Sequence, residues 1–239
     1  MVVIGASGRM GRSLLALLPE FPALVLGAAV VAPGSKALGG SGHEAAPVTA
    51  DLPAALATAG LAIDFSKAAV TGANLQACVA AGVPLLVGTT GLAADLQPRF
   101  EQAAMRIPLL VAANTSLAVN LLLELVRRAA QVLPESFSTH IFEAHHKDKL
   151  DSPSGTALAL GAAVDAGNGR GWAIGYTVSR GGEQVGEHTV HFNGAGESLT
   201  LGHVATDRAV FARGALAAGA WLARQPPGRY RMQDLLGEK

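Results

Sequence analysis

Apolar and polar positions along the chain follow two periods, and the change from one to the other divides the sequence. Val2-Val3-Ile4 is a short β-branched run. It is followed by the glycine-spaced stretch Gly5-Ala6-Ser7-Gly8-Arg9-Met10-Gly11 and by the helical Arg12–Leu18, and a second apolar strand is read at Leu24–Val30. Strand, glycine turn, helix and strand within about thirty residues predict a βαβ unit of the dinucleotide-binding kind. The alternation then continues through a helix at Asp51–Thr58, a strand at Leu61–Phe65 and a helix at Ala68–Ala81 stopped by Gly82. A strand at Pro84–Gly88, a helix at Asp95–Met105 and a strand at Pro108–Ala113 complete it. Strands that are apolar throughout, separated by helices, predict a parallel sheet covered on both faces.

After Asn114 the pattern changes. A long helix at Ala118–Leu133 leads to a strand at Thr139–Glu143, and a helix is expected at Ala157–Ala166. Three consecutive strands follow at Trp172–Ser179, Gly186–Asn193 and Glu197–Ala205, and a helix returns at Asp207–Leu222. Runs of strands joined by tight glycine connections predict an antiparallel or mixed sheet. The expected class is therefore α/β: a Rossmann-like parallel-sheet nucleotide domain plus an α+β substrate domain with a mixed sheet. The expected division gives residues 1–114 and 215–239 to the dinucleotide-binding domain, and 115–214 to a substrate-binding and oligomerisation domain.

Composition narrows the partners. The chain has 239 residues, half of them hydrophobic, with 18 basic and 18 acidic side chains. A formal net charge of zero gives no global field that favours nucleic acid or an anionic membrane, so neither is expected as a partner and anion recognition must be local. The apolar run Ala23–Ala32 is too short to cross a bilayer. The N-terminus has no basic leader and enters a strand at once, so no signal peptide is expected. The single cysteine, Cys78, lies in a helical stretch and reads as a buried structural thiol, which suits a reducing cytoplasm.

The densest chemistry is the run Glu143-Ala144-His145-His146-Lys147-Asp148-Lys149-Leu150-Asp151-Ser152-Pro153-Ser154-Gly155-Thr156-Ala157. Histidine exchanges protons near neutral pH, lysine supplies fixed positive charge or a second acid, and Ser154-Gly155-Thr156 opens a helix whose N–H groups can hold a carboxylate. His145 and His146 are adjacent, so on a strand or loop they point different ways. No Cys or His-x-x-His spacing accompanies them, and no metal is expected. In the first half, Gly5, Gly8 and Gly11 permit a tight turn and close approach of backbone to a pyrophosphate, with Ala6, Ser7, Arg9 and Met10 alongside. A carboxylate usually ends the second strand of an NAD site. Here that region reads Val30-Val31-Ala32-Pro33-Gly34-Ser35-Lys36, and Ser35 and Lys36 are candidates for a 2′-phosphate contact, a solvated loop being the alternative.

The run resembles the signature of the dihydrodipicolinate reductase family, written roughly E-[AI]-H-H-x-x-K-x-D-x-P-S-G-T-A. Asp64-Phe65-Ser66, Gly88-Thr89-Thr90-Gly91, Ala112-Ala113-Asn114-Thr115-Ser116, Arg180-Gly181-Gly182, Gly186-Glu187-His188 and His203–Arg208 resemble further family segments in the same order. The resemblance implies an NAD(P)H-dependent reductase that converts 4-hydroxy-tetrahydrodipicolinate to tetrahydrodipicolinate in the diaminopimelate route to lysine. It implies His145 as proton donor, Lys149 as second acid and substrate contact, and His146, Gly155 and Thr156 as further substrate contacts. Phe65, Gly88, Thr89, Thr90, Ala112, Ala113, Asn114, Thr115 and Arg208 would border the cofactor, NADPH or NADH. Gly186-Glu187-His188 would either order the site from behind or simply pack. The family's homotetramer would form through residues 172–205. An aspartate-dehydrogenase-like or imine-type oxidoreductase, and an NAD(P)-sensing protein with a dead site, are the competing readings; the intact His145/Lys149 pair argues against the second.

Overall fold

The computed structural model describes residues 1–40, 46–169 and 171–237. The chain forms two compact units: Met1–Ser116 with Phe211–Lys239, and Leu117–Val210. Positions 238–239, part of the expected nucleotide domain, lie outside the described residues.

The first unit is built on a parallel sheet of seven strands: β1 (Val2–Ile4), β2 (Ala28–Val30), β3 (Val48–Thr49), β4 (Ala62–Asp64), β5 (Leu85–Val87), β6 (Pro108–Val111) and β11 (Gly228–Tyr230). Their spatial order is β11-β6-β5-β4-β1-β2-β3. The central strands are buried along their whole length because helices cover both faces, which is why they read as continuous apolar runs. On one face Val2, Ile4, Ala62, Leu85 and Leu109 pack against Leu56 of α2 (Leu52–Leu56), Leu75 and Cys78 of α3 (Ala68–Ala81) and Phe100 of α4 (Leu96–Ala104). On the other lies the C-terminal part of α7 (Ala209–Leu222), whose Gly219 sits against Leu61 and Ile63, while α1 (Arg9–Leu17) follows the turn after β1. Gly82 ends α3 in the left-handed conformation and returns its N–H to Cys78 and Val79. Burial, with the negative Asp64 nearby, pushes the Cys78 thiol up to about 12, so it is an inert core group.

The second unit stacks α5 (Leu117–Val132) and α6 (Gly155–Asn168) on a four-stranded mixed sheet. Its strands are β7 (Ser138–His145), β8 (Ile174–Arg180), β9 (Gly186–Gly194) and β10 (Glu197–Ala205), in the order β10-β9-β7-β8. β7 runs parallel to β8 and antiparallel to β9. Burial alternates along β9, so only one face carries the core. There Ile141, Val190 and Phe192 meet Leu122 and Val126 of α5 and Leu160 and Val164 of α6. The second strand is shorter than the sequence reading, Ala28–Val30 rather than Leu24–Val30. Pro22 and the turn after it delay sheet entry until Gly27 N–H reaches Met1 O at 2.8 Å. The short strands β3 and β11, and the single-turn helix α8 (Met232–Leu235), carry too few residues to show a period.

Candidate active site

Because the seven strands are parallel, their carboxyl ends share one edge of the first sheet, where ligands of open α/β sheets bind. The turn after β1 is tightly constrained. Gly5 takes a φ of +82°, and the N–H groups of Gly5 and Ala6 both donate to Val30 O, at 2.9 and 3.0 Å. A Cβ on Gly5 would lie 2.6 Å from Phe65 O. One on Gly11 would lie 2.3 Å from Gly5 O, so glycine there lets α1 sit directly on the turn. Gly8 is the N-cap of α1 with no side chain over the helix end, leaving that end open to an anion. The glycine positions therefore form a cradle that side chains would fill, and it fits a dinucleotide pyrophosphate.

Behind the neighbouring strand ends a buried carboxylate ties three segments together. Asp64 is fully buried; its Oδ1 accepts from Ser66 N at 2.8 Å and its Oδ2 from Asn74 Nδ2 at 2.9 Å. The Thr89 hydroxyl donates to Asp64 O at 3.3 Å. Beyond β6, Ser116 N donates to Asn114 Oδ1 at 2.9 Å and the Thr115 hydroxyl to Phe211 O at 2.6 Å.

In the second unit Glu143 and His145 lie two apart on β7, on one face of the strand, and the Glu143 Oε2 and His145 Nδ1 atoms face each other in an ion-pair contact. The other oxygen, Oε1, accepts from Arg180 Nη2 at 2.7 Å and from Ser154 N at 3.1 Å. Ser154 caps α6 by accepting from Ala157 N at 3.2 Å, and its hydroxyl also bonds His188 Nε2 at 3.1 Å. The His188 ring stands edge-on to His145, with centroids 5.0 Å apart. Just outside this buried group, Lys149 Nζ is 2.7 Å from Asp151 Oδ1, and Gly155 N donates to Asp151 Oδ2 at 3.3 Å. An ammonium and a helix N–H thus already hold one carboxylate.

Burial pushes the Glu143 carboxyl up, but Arg180, the Ser154 N–H and His145 together bring it below the usual range, so it is ionised. Burial lowers His145, opposed by the Glu143 charge and reinforced by Lys149 and Arg180. His188 is pushed down to about 4 by burial and by the neighbouring His145, and is neutral at pH 7. Glu143, His145 and His188 place potential ligand atoms within 4.8 Å of one another. The Arg180 guanidinium on Glu143 puts a fixed cation where a divalent ion would have to approach.

Comparison with known proteins identifies this pair of units. The descriptions "Dihydrodipicolinate reductase, N-terminus" and "Dihydrodipicolinate reductase, C-terminus" match residues 1–115 and 118–236. A 4-hydroxy-tetrahydrodipicolinate reductase of Rhizobium rhizogenes is 39% identical, covering 99% of this chain and 96% of its own. The chain belongs to the dihydrodipicolinate reductase family. Another relative of that name, from Caulobacter vibrioides, is 48% identical over 59% of this chain, a match that spans only about three-fifths (62%) of the relative's length. The fold also matches a dipicolinate-bound dihydrodipicolinate reductase from Paenisporosarcina sp. TG-14, with a TM-score of 0.84, 20% identity and 96% of both chains covered. Members of the dihydrodipicolinate reductase family are oxidoreductases acting on a small molecule, and their Rossmann-type unit implies a nicotinamide cofactor.

Against this family background, the expected residues fall in two groups. Gly5, Ala6, Ser7, Gly8, Arg9, Met10, Ser35, Lys36, Phe65, Gly88, Thr89, Thr90, Ala112, Ala113, Asn114 and Thr115 all follow the carboxyl ends of β1, β2, β4, β5 and β6, which are adjacent in the sheet. Lys36 is exposed, and the Ser35 hydroxyl accepts from Ala37 N at 3.3 Å. Arg208 is exposed and belongs to the other unit. His145, His146, Lys149, Gly155 and Thr156 lie together from the end of β7 to the start of α6. His145 is buried and His146, one residue past the strand, is half-buried. The roles of Glu143 and Arg180, and the Asp151 contact, are absent from the sequence reading. The signal for Glu143 was its two-residue spacing from His145. Arg180 lies 37 positions away and needs the β7–β8 pairing to be found. Among the described residues, no helix is long and apolar enough to cross a membrane.

Proposed function

We propose that this chain is a 4-hydroxy-tetrahydrodipicolinate reductase that reduces its cyclic dicarboxylate substrate to tetrahydrodipicolinate with loss of water, as a step towards diaminopimelate and lysine. The observation that carries the reading is a carboxylate held by Lys149 Nζ and Gly155 N next to His145 paired with the ionised Glu143, all on one continuous segment. Lys149, Gly155, Thr156 and His146 bind the substrate carboxylates, and charge-assisted contacts of this kind are the strong ones. His145 gives the proton. Burial holds its imidazole below the ordinary range in the free enzyme. A dianionic substrate beside it raises its proton affinity, so the acid is charged when it is needed. Lys149 supports the same transfer as a second acid.

The Gly5–Met10 turn and the segments at Phe65, Gly88–Thr90 and Ala112–Thr115 hold the nicotinamide cofactor, which supplies hydride when bound; Arg208 is assigned to it as well. No carboxylate follows β2, and Ser35 and Lys36 suit a 2′-phosphate, so NADPH serves at least as well as NADH. The enzyme works as a homotetramer in the reducing cytoplasm, associating through residues 172–205. Freshly synthesised substrate and NAD(P)H, followed by loss of nicotinamide absorbance, test the activity. Oxidation dependent on this substrate is expected. Its absence, or equal oxidation with an amino or simple keto acid, would overturn the assignment.

A further inference from the structure

The buried carboxylate of the second unit, Glu143, has no task in the proposed chemistry. Glu143 is fully buried, and three groups converge on its two oxygens: Arg180, the Ser154 N–H and His145 Nδ1. A carboxylate is withdrawn from water at high cost unless such partners replace the solvent. The partners come from β7, β8 and the start of α6, so three elements are arranged around one charge.

We propose that Glu143, anchored by Arg180, is the positioning residue that keeps a proton on His145 Nδ1 and so makes Nε2 the atom that exchanges a proton with the substrate. This rests on the reading of His145 as proton donor. An ionised carboxylate only accepts hydrogen bonds, so the imidazole nitrogen facing it must be the N–H. Nε2 then carries the lone pair in the neutral ring and the transferable proton in the imidazolium. In the transfer the Nε2–H bond breaks, the proton goes to the substrate, and neutral His145 keeps its Nδ1–H on Glu143, which stays ionised. Around Nε2 the fold leaves room: a Cβ on Gly186 would lie 3.0 Å from it.

The groups facing His145 from each packed element set its proton affinity. Glu143 on β7 raises it. Arg180 on β8, Lys149 in the following loop and burial lower it. His188 on β9 stands edge-on and neutral, with His203 of β10 beyond it. Glu143 alone among these groups both fixes the ring and favours its charged form, so its removal has a signature that loss of packing lacks.

The test is the pH profile of Glu143→Gln with both substrates saturating. The expected kcat loss is at least about tenfold and up to the 10²–10⁴-fold of a lost general acid. The alkaline limb, where His145 loses its proton, should move towards acid by about one pH unit or more. NAD(P)H affinity, measured by fluorescence, should stay unchanged. A lowered kcat with an unmoved limb, or wild-type kcat and limb, overturns the proposal. His145→Gln distinguishes the two levels: wild-type turnover in that variant removes His145 as the acid, whereas its impairment beside an unaltered Glu143→Gln removes only the positioning role. Should Glu143→Gln not fold, ¹⁵N-histidine NMR of the wild-type enzyme decides. A protonated Nδ1 on neutral His145 supports the proposal, and a protonated Nε2 overturns it.

Discussion

Replacing Asp151 by Asn should tighten substrate binding. In the free enzyme the Asp151 carboxylate bridges Lys149 Nζ at 2.7 Å and Gly155 N at 3.3 Å, two donors proposed to hold a carboxylate of the substrate. The substrate must displace it. Lys149 is 23% and Asp151 54% exposed, so the pair is worth the roughly 0.2–1 kcal/mol of a surface ion pair. The long bond to Gly155 adds about 0.5 kcal/mol. A total below about 1.5 kcal/mol corresponds to at most about tenfold in affinity. Asn keeps the size and the amide acceptor but removes the charge, and the backbone O of residue 151 can still accept from Arg180, as it does at 2.7 Å. Lys149 holds the Asp151 carboxyl below its ordinary range, so the wild-type bridge is charged at any ordinary assay pH. Initial rates at varied substrate and saturating NADPH should show KM lower by about two- to tenfold. The kcat and the KM for NADPH should be unaltered, and the gap should narrow as salt is raised. A raised substrate KM would mean that Asp151 organises Lys149 rather than competes for it, and the displacement argument would fail.

Lys149→Ala and His145→Ala should each lower the chemical step by about 10²–10⁴-fold while leaving NAD(P)H binding largely intact; unchanged turnover in either variant removes that residue from the mechanism. Lys36→Ala should weaken NADPH more than NADH, read as KM for both cofactors, and equal losses or a native tenfold preference for NADH would contradict the placement of Ser35 and Lys36. Burial lowers His188 to about 4, so between pH 6.5 and 4 the unfolded chain takes up a proton that the folded chain refuses. Stability is therefore full above pH 6.5 and falls towards pH 4 by about 3 kcal/mol from this group; denaturant melts of His188→Gln should show a flatter slope in that window. Light scattering at micromolar concentration should find an oligomer that assembles through residues 172–205, and a monomer would refute it.

The sequence revealed the parts whose physics is local. The Gly5–Gly11 turn is legible because a positive φ and close backbone contact require glycine at specific places. The central strands of the first unit are legible because burial on both faces leaves them almost wholly apolar, Asp64 at the end of β4 excepted, and α3 is read to the residue because Gly82 stops it. The site was legible where its members are consecutive, from His145 to Thr156. Where members meet only through pairing it was less so: Arg180 received no role because it reaches Glu143 only across the β7–β8 pairing, and His188 was placed behind the site, with plain packing as the alternative, by family resemblance and not by any spacing rule. β11 escaped notice for the same reason, three half-buried residues that become a strand only beside β6.

That last strand has a consequence for how the molecule is made. The second unit, Leu117–Val210, lies within the first in chain order, so a ribosome finishes it while the first still lacks Phe211 onward. Until Gly228–Tyr230 emerges, β6 is an open edge of an apolar sheet, the kind of surface on which nascent chains pair with one another. The helical segment that packs against Leu61 and Ile63 also comes late. During synthesis, then, the nucleotide-binding half is the vulnerable one, and it depends for its completion on the residues from Phe211 onward, translated only after the whole second unit.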